Sequence, residues 1–146
     1  MRILINAISA KKGGIVTYTA NLARALAGRG VDFCIAVPKD SSGLPGTISV
    51  SASEYGPMRR FLWEQTGWRS FVHRWKPDIL FSSANYALLN SRVPQVLLVR
   101  EGGLLDPFYI SMTAPEQGVK AAALRYLRTI ITSSTLGSAS FSRLAA

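Results

Sequence analysis

The chain is 146 residues long, which suits one ordinary domain with a single core, and its 48% hydrophobic and 17% charged residues exclude a disordered protein. A net charge of +9 admits nucleic acid, anionic lipid and phosphate-bearing small molecules as partners. The basic residues are scattered and accompany no zinc-finger or RNP-type signature, so we expect no nucleic-acid partner. The mean hydropathy of +0.18 predicts surface that a second domain or a membrane face covers.

The first third of the sequence predicts a strand, a helix and a second strand in succession. An apolar run at residues 2–7 indicates a buried parallel strand. Apolar residues recur at helical spacing over residues 15–26, and Gly28 supplies a stop signal. Residues 33–37 form a second buried run. Together these elements predict a right-handed βαβ unit.

The rest of the chain continues the alternation of strands and helices. Further strands are predicted at 47–51, 78–82, 95–99 and 129–132. Further helices are predicted at 57–75, at 116–128 and from 137 to the end. The helix at 57–75 should place six apolar side chains on one broad face: Phe61, Leu62, Trp68, Phe71, Val72 and Trp75. This pattern predicts an α/β fold with a doubly wound, mostly parallel, Rossmann-like sheet of six strands in the order 3-2-1-4-5-6.

The loop after the first strand is the most informative feature. It ends in Lys11, Lys12, Gly13 and Gly14, directly before the first helix. A glycine pair lets the backbone approach a ligand closely, and a helix N-terminus offers free N–H groups to an anion. A simple tight turn would explain the same glycines. The loop matches neither G-x-G-x-x-G nor G-K-[ST], which argues against dinucleotide oxidoreductases and P-loop NTPases.

Few other side chains carry chemistry. Cys34 lies in an apolar run and is expected to be a small core residue, and His73 has no acidic neighbour, so neither a metal cluster nor a Ser-His-Asp triad is expected. Asn85 and Tyr86 follow the fourth strand at the carboxyl edge of the sheet, where they would either contact a ligand or serve loop solubility.

Several segments resemble the opening domain of group 1 (family 4) retaining glycosyltransferases, which have the two-domain glycosyltransferase-B fold. The segments are MRILINA at residues 1–7, GGIVTYTANLARAL at 13–26, LWEQ at 62–65, PDILFS at 77–82, PQVLLV at 94–99 and IITSS at 130–134. Each motif is soft alone, but their order and spacing together span nearly the whole chain. The resemblance identifies the chain as the N-terminal half of such an enzyme.

The resemblance implies roles for four residues. Gly13 and Gly14 would bind the donor diphosphate, as the glycine pair does in this family. Arg100 and Glu101 follow the fifth strand and would be catalytic: Arg100 would hold a phosphate or an acceptor hydroxyl, and Glu101 would orient an acceptor hydroxyl. A solvated surface ion pair would explain the same two residues. The family usually has His-Asp there, or Arg-Asn in some members, and Glu101 departs from both patterns. The resemblance implies no metal and no cofactor. It implies a nucleoside diphosphate sugar as the co-substrate.

The implied function is transfer of a hexosyl group from a nucleoside diphosphate sugar to an acceptor hydroxyl, in polysaccharide or glycolipid synthesis. Residues 1–146 would form the acceptor-side domain, while the family's E-x7-E donor motif belongs to a C-terminal domain that this sequence lacks. We therefore expect a truncated chain that is inactive alone. The alternative is a non-catalytic acceptor-binding or assembly module, or an inactive remnant.

Location follows from apolar segments. The N-terminus is too short and polar for a secretory signal, and no apolar run approaches the roughly 18 residues that span a bilayer, so a cytoplasmic enzyme is expected. The 57–76 stretch carries five basic residues and three tryptophans against Glu64 alone. It could rest on anionic lipid near a lipid-linked acceptor, but we favour an amphipathic core helix with a solvated basic face.

Overall fold

A computed structural model describes residues 1–41, 43–83 and 86–99, together with 106, 108 and 112. Its strands are β1 (Arg2–Asn6), β2 (Asp32–Pro38), β3 (Thr47–Val50), β4 (Ile79–Ser82) and β5 (Gln95–Leu97). Its α-helices are α1 (Gly14–Ala27), α2 (Pro57–Trp63) and α3 (Arg69–Trp75). A π-helical turn (Glu64–Trp68) joins α2 to α3, and short 3-10 turns follow β2 (Lys39–Ser41) and β3 (Ser51–Glu54). The elements predicted beyond residue 115 lie outside the described residues.

The strands form one parallel sheet in the order β3-β2-β1-β4-β5. β1 lies at its centre, where Leu4 is paired with Cys34 of β2 on one side and with Leu80 of β4 on the other. From β1 the chain adds strands first towards one edge of the sheet, as β2 and β3, and then towards the other edge, as β4 and β5. This change at β1 and β4 is typical of doubly wound folds. The predicted fold class and the order of the first five strands are confirmed, and the sixth strand lies outside the described residues.

Side-chain alternation along the strands builds a core on each face of the sheet. On one face, Leu4, Cys34 and Leu80 pack with Trp68 and Val72 of the α2–α3 segment. On the other face, the alternate strand residues Ile5, Ile35 and Val37 pack with α1. Their partners in this helix are Ile15 and Ala23. Helices cover both faces, because the central strands β1 and β2 are apolar on both sides.

The segment at 57–75 is not the uninterrupted helix that its periodicity predicts. The π-helical turn inserts an extra residue in the helix repeat, so the apolar face before it and the face after it differ in phase. Leu62, which was expected on the buried face, is 60% exposed, so that prediction is wrong. A β-carbon at Gly67 would lie 2.6 Å from Trp63 Nε1, so glycine lets the Trp63 ring pack across this turn.

The tryptophans and Cys34 are core residues, as favoured from the sequence. Trp68 is buried, and Trp63 and Trp75 pack against the same core. Cys34 is buried too, and burial, with a smaller effect from Asp32, raises the pKa of its thiol. A protonated thiol is a poor nucleophile, which agrees with a purely structural role for Cys34.

Candidate functional site

The first βα loop has a fixed base and an exposed tip. Ala7, Ile8 and Ala10 are buried, and the Ala10 N–H donates to the Ala7 carbonyl at 2.9 Å. Asn6 Oδ1, at the end of β1, accepts from the Ile8 N–H at 3.3 Å. Residues 11–14 are all exposed. The core thus holds the start of the loop while the glycine pair faces outward.

Gly13 has a backbone conformation that side chains rarely allow. Its φ of 71° and ψ of −158° fall in a region that is essentially restricted to glycine. A β-carbon there would meet nothing within 4 Å, so the space beside Gly13 is open. Glycine is needed here for its conformation, and the open space leaves room for a ligand against the backbone.

The helix that begins at Gly14 presents an uncapped N-terminus at this edge. Gly13 is the N-cap residue, no side chain caps α1, and the first turn contains no acidic residue. By helix geometry, the amides of Gly14 and Ile15 have no acceptor within α1. Free N–H groups and the positive end of the helix dipole together suit an anion.

The two lysines before the glycines differ in their surroundings. Lys11 Nζ lies 3.2 Å from Glu54 Oε1, and this hydrogen bond is the largest of the effects that lower the pKa of Glu54. Both partners are exposed, so the pair adds little stability. Lys12 is also exposed. Lys12 is therefore the better placed of the two to attract an anion to the loop.

A buried polar cluster lies behind this loop, at the β1–β4 switch point. The backbone N–H and Oγ of Ser83 donate to the Asn6 carbonyl at 3.0 and 2.9 Å. The Glu64 side chain lies beside Asn6 and is only 2% exposed. Ligands of open α/β sheets bind at the carboxyl ends of strands beside such a switch point.

Glu64 is the most unusual residue of the cluster. Its Oε1 lies 3.5 Å from Arg60 Nε, but neither carboxylate oxygen has a hydrogen bond of good geometry among the described residues. Burial raises the pKa of Glu64 to about 7, because it outweighs the opposing effects of Arg60 and Asn6. π-helical turns are frequent at functional sites, and Glu64 begins this one.

Two glutamines fix the chain after β4. Gln65 donates to the Ala87 carbonyl at 3.1 Å and accepts from the Leu89 N–H at 2.9 Å. Gln95 makes the same two-way contact with the Leu88 backbone, at 2.7 and 3.1 Å. These contacts position Tyr86, which is buried and packs edge-on against Phe61.

The predicted site residues fare differently. Gly13 and Gly14 lie together between β1 and α1, and their role in binding a diphosphate stays a prediction. Arg100, Glu101 and Asn85 lie outside the described residues. Tyr86 is only 4% exposed, so neither loop solubility nor an open contact surface describes it.

Sequence reasoning missed Glu64 and Arg60 as members of the cluster. One signal was available, since Glu64 is the single acidic residue of a strongly basic segment. It also belongs to the LWEQ segment that carried the family resemblance.

Comparison with known families decides the membership of the chain. The model of Glycosyltransferase Family 4 matches residues 12–134, which is most of the sequence and includes the glycine pair. The chain belongs to glycosyltransferase family 4. No curated protein and no solved structure matches it. As a family 4 domain it acts with a sugar donor and an acceptor, and its function is that of a glycosyltransferase.

Two features are absent from the residues that the structure describes. Within them, no group of three or more His, Cys, Asp or Glu side chains is arranged to hold a metal ion. None of the helices in that part of the chain is long and apolar enough to cross a membrane.

Proposed function

We propose that this chain is the acceptor-side domain of a retaining hexosyltransferase that uses a nucleoside diphosphate sugar. The observation that carries the proposal is the uncapped N-terminus of α1 behind Gly13, within a family 4 domain. The acceptor would be a glycan or a lipid-linked sugar in polysaccharide or glycolipid synthesis. We place the reaction at the cytoplasmic side of the membrane.

The chemistry at this edge is electrostatic. When the bond between the anomeric carbon and the diphosphate breaks, negative charge grows on the leaving diphosphate. The free amides of Gly14 and Ile15 and the dipole of α1 are fixed before the reaction begins, so they stabilise that charge without reorganising. Lys12 adds a mobile positive charge at the same loop.

The remaining parts of the reaction are assigned by the family resemblance. Arg100 and Glu101, which follow the fifth strand, would complete the acceptor side of the cleft. The nucleoside and the donor sugar would be held by a second, C-terminal domain. The half-buried Arg60 and the buried Glu64 lie beside Asn6 at the end of β1, and we assign them a supporting role there.

A transfer assay tests this proposal. Enzyme made from the whole reading frame is incubated with a panel of radiolabelled nucleoside diphosphate hexoses and glycolipid extract, and the anomeric configuration of the product is determined by NMR. We expect label transfer with retention from one donor. The 146-residue chain assayed alone should transfer no label, because the family resemblance assigns the contacts to the nucleoside and the sugar to a second domain.

Two results would contradict the proposal. Absence of transfer and of binding with every donor would favour a non-catalytic acceptor-binding module. Full activity of the 146-residue chain would show that the second domain is not required.

A further inference from the structure

A second pocket opens at the amino edge of the sheet, opposite the glycine loop. Its volume is about 680 Å³, within the roughly 300–1,000 Å³ that is usual for small-molecule sites. Its walls are the C-terminal end of α3 and residues 90–93, which lead into β5. The length of β4, roughly 13 Å, separates it from the carboxyl edge.

The ionisable side chains that line this pocket are all basic. They are Arg69, His73, Lys76 and Arg92. Within the described part of the chain, the side chains of the last three have no hydrogen bond or ion pair. Asp78 is close in sequence but is already engaged, because its Oδ2 accepts from the Arg2 N–H at 2.7 Å and lies 3.9 Å from the N-terminal amine.

Arg69 is held in place before any ligand arrives. Its Nε donates to the Gln65 carbonyl at 3.1 Å, and its terminal nitrogen donates to the Leu89 carbonyl. Two of the five N–H donors of the guanidinium are thereby used, and three remain. A fixed guanidinium loses little side-chain entropy when it binds an anion.

The other lining residues are mainly apolar. The apolar members are Val72, Pro77, Leu88 and Val93. The C-terminal end of α3 opposes an anion with about half a negative charge, whereas Arg69, Lys76 and Arg92 bring three full positive charges. The positive charge therefore dominates.

We propose that this pocket binds a phosphate-bearing small molecule, with the phosphate on the basic side chains and an apolar part on Val72 and Val93. A phosphate group carries close to two negative charges and several acceptor oxygens, which matches the converging donors. This site is separate from the transfer reaction, so it stands whether or not the chain transfers sugar.

Titration of the ¹⁵N-labelled chain with phenyl phosphate, followed by NMR, tests the site. We expect saturable shifts of the amides of residues 73–76 and 90–93. The double variant Lys76→Gln, Arg92→Gln should weaken binding by roughly tenfold or more, because it removes two charge-assisted contacts. Both side chains are exposed, so the fold should survive.

A matched control distinguishes binding at this pocket from non-specific attraction of the anion by the net positive charge of the protein. The pair Arg29→Gln, Arg74→Gln makes the same change in net charge at exposed positions outside the pocket, and it should leave binding within about twofold. Benzoate, which has the ring without the phosphate, should bind much more weakly.

Three outcomes would overturn the proposal. The first is an equal loss of affinity in both double variants, and the second is the absence of saturable shifts at 90–93. The third is binding of phosphatidylglycerol vesicles, lost in the Lys76→Gln, Arg92→Gln variant, without binding of phenyl phosphate. That last result would make the surface a membrane contact.

Discussion

Replacing Glu64 by glutamine should make folding less dependent on pH and should stabilise the protein above pH 7. The carboxyl is 2% exposed, and burial raises its pKa from an ordinary 4.5 to about 7. Between these values the folded state holds a proton that the unfolded state has released. The free energy of unfolding therefore falls as the pH rises through this window.

The expected size follows from the same two values. Raising the pKa from 4.5 to about 7 corresponds to about 3–4 kcal/mol, at about 1.4 kcal/mol per pH unit. Glutamine resembles the protonated acid in shape and cannot ionise. The variant should match the wild type below pH 4.5 and exceed it by up to this amount above pH 7.

Denaturant unfolding from pH 4 to 8 measures this difference. Glu54→Gln is the matched control, because Glu54 is exposed and its pKa is lowered by Lys11. A lowered pKa stabilises the folded protein at neutral pH, and this stability is lost in acid. The Glu54→Gln variant should therefore be less stable than the wild type at neutral pH and should approach it as the pH falls. Parallel stability curves for the wild type and Glu64→Gln would show that folding does not raise the pKa of Glu64.

The substitution Gly14→Val should abolish sugar transfer while leaving the fold intact. Gly14 is the exposed first residue of α1 and its φ is not positive, so a side chain is tolerated there. A branched side chain beside the free amides would keep a diphosphate away from them. Loss of such preorganised donors typically lowers kcat by roughly a hundredfold or more.

Kinetics of the complete enzyme measure this effect, with unfolding curves as a check on the fold. Gly28→Val at the opposite end of α1 is the matched control, since a β-carbon there makes only ordinary contacts at 3.6 and 3.8 Å. Gly13→Val is a less clean test, because its positive φ would add roughly 1–3 kcal/mol of strain. Wild-type turnover and donor affinity in a folded Gly14→Val variant would show that the glycine pair only forms a tight turn and does not bind the donor.

The sheet could be predicted from the sequence because its strands are continuous apolar runs. β1 and β2 are apolar on both faces, and this pattern is typical of strands that lie between two layers of helices. The position of the Gly13 loop was also predictable, because the glycine pair stands between an apolar run and a helical pattern. The family resemblance then predicts that this loop binds a diphosphate.

The π-helical turn and its buried acid were not predictable in the same way. Helical periodicity treats residues 57–75 as uniform, whereas Gly67 and Trp63 allow a local change of repeat. That change puts Leu62 in solvent and Glu64 in the core. Charge alone suggests that glutamate is a surface residue, so only the three-dimensional structure reveals its burial.

The most direct test of the central claim is to observe which amides a donor diphosphate contacts. Uridine and guanosine diphosphates are titrated into the ¹⁵N-labelled Lys76→Gln, Arg92→Gln variant, which lacks two of the basic side chains of the pocket at the amino edge. We predict weak but saturable NMR shifts that centre on the amides of Gly13, Gly14 and Ile15, and their loss in Gly14→Val. Binding that leaves these three amides unshifted would contradict the account.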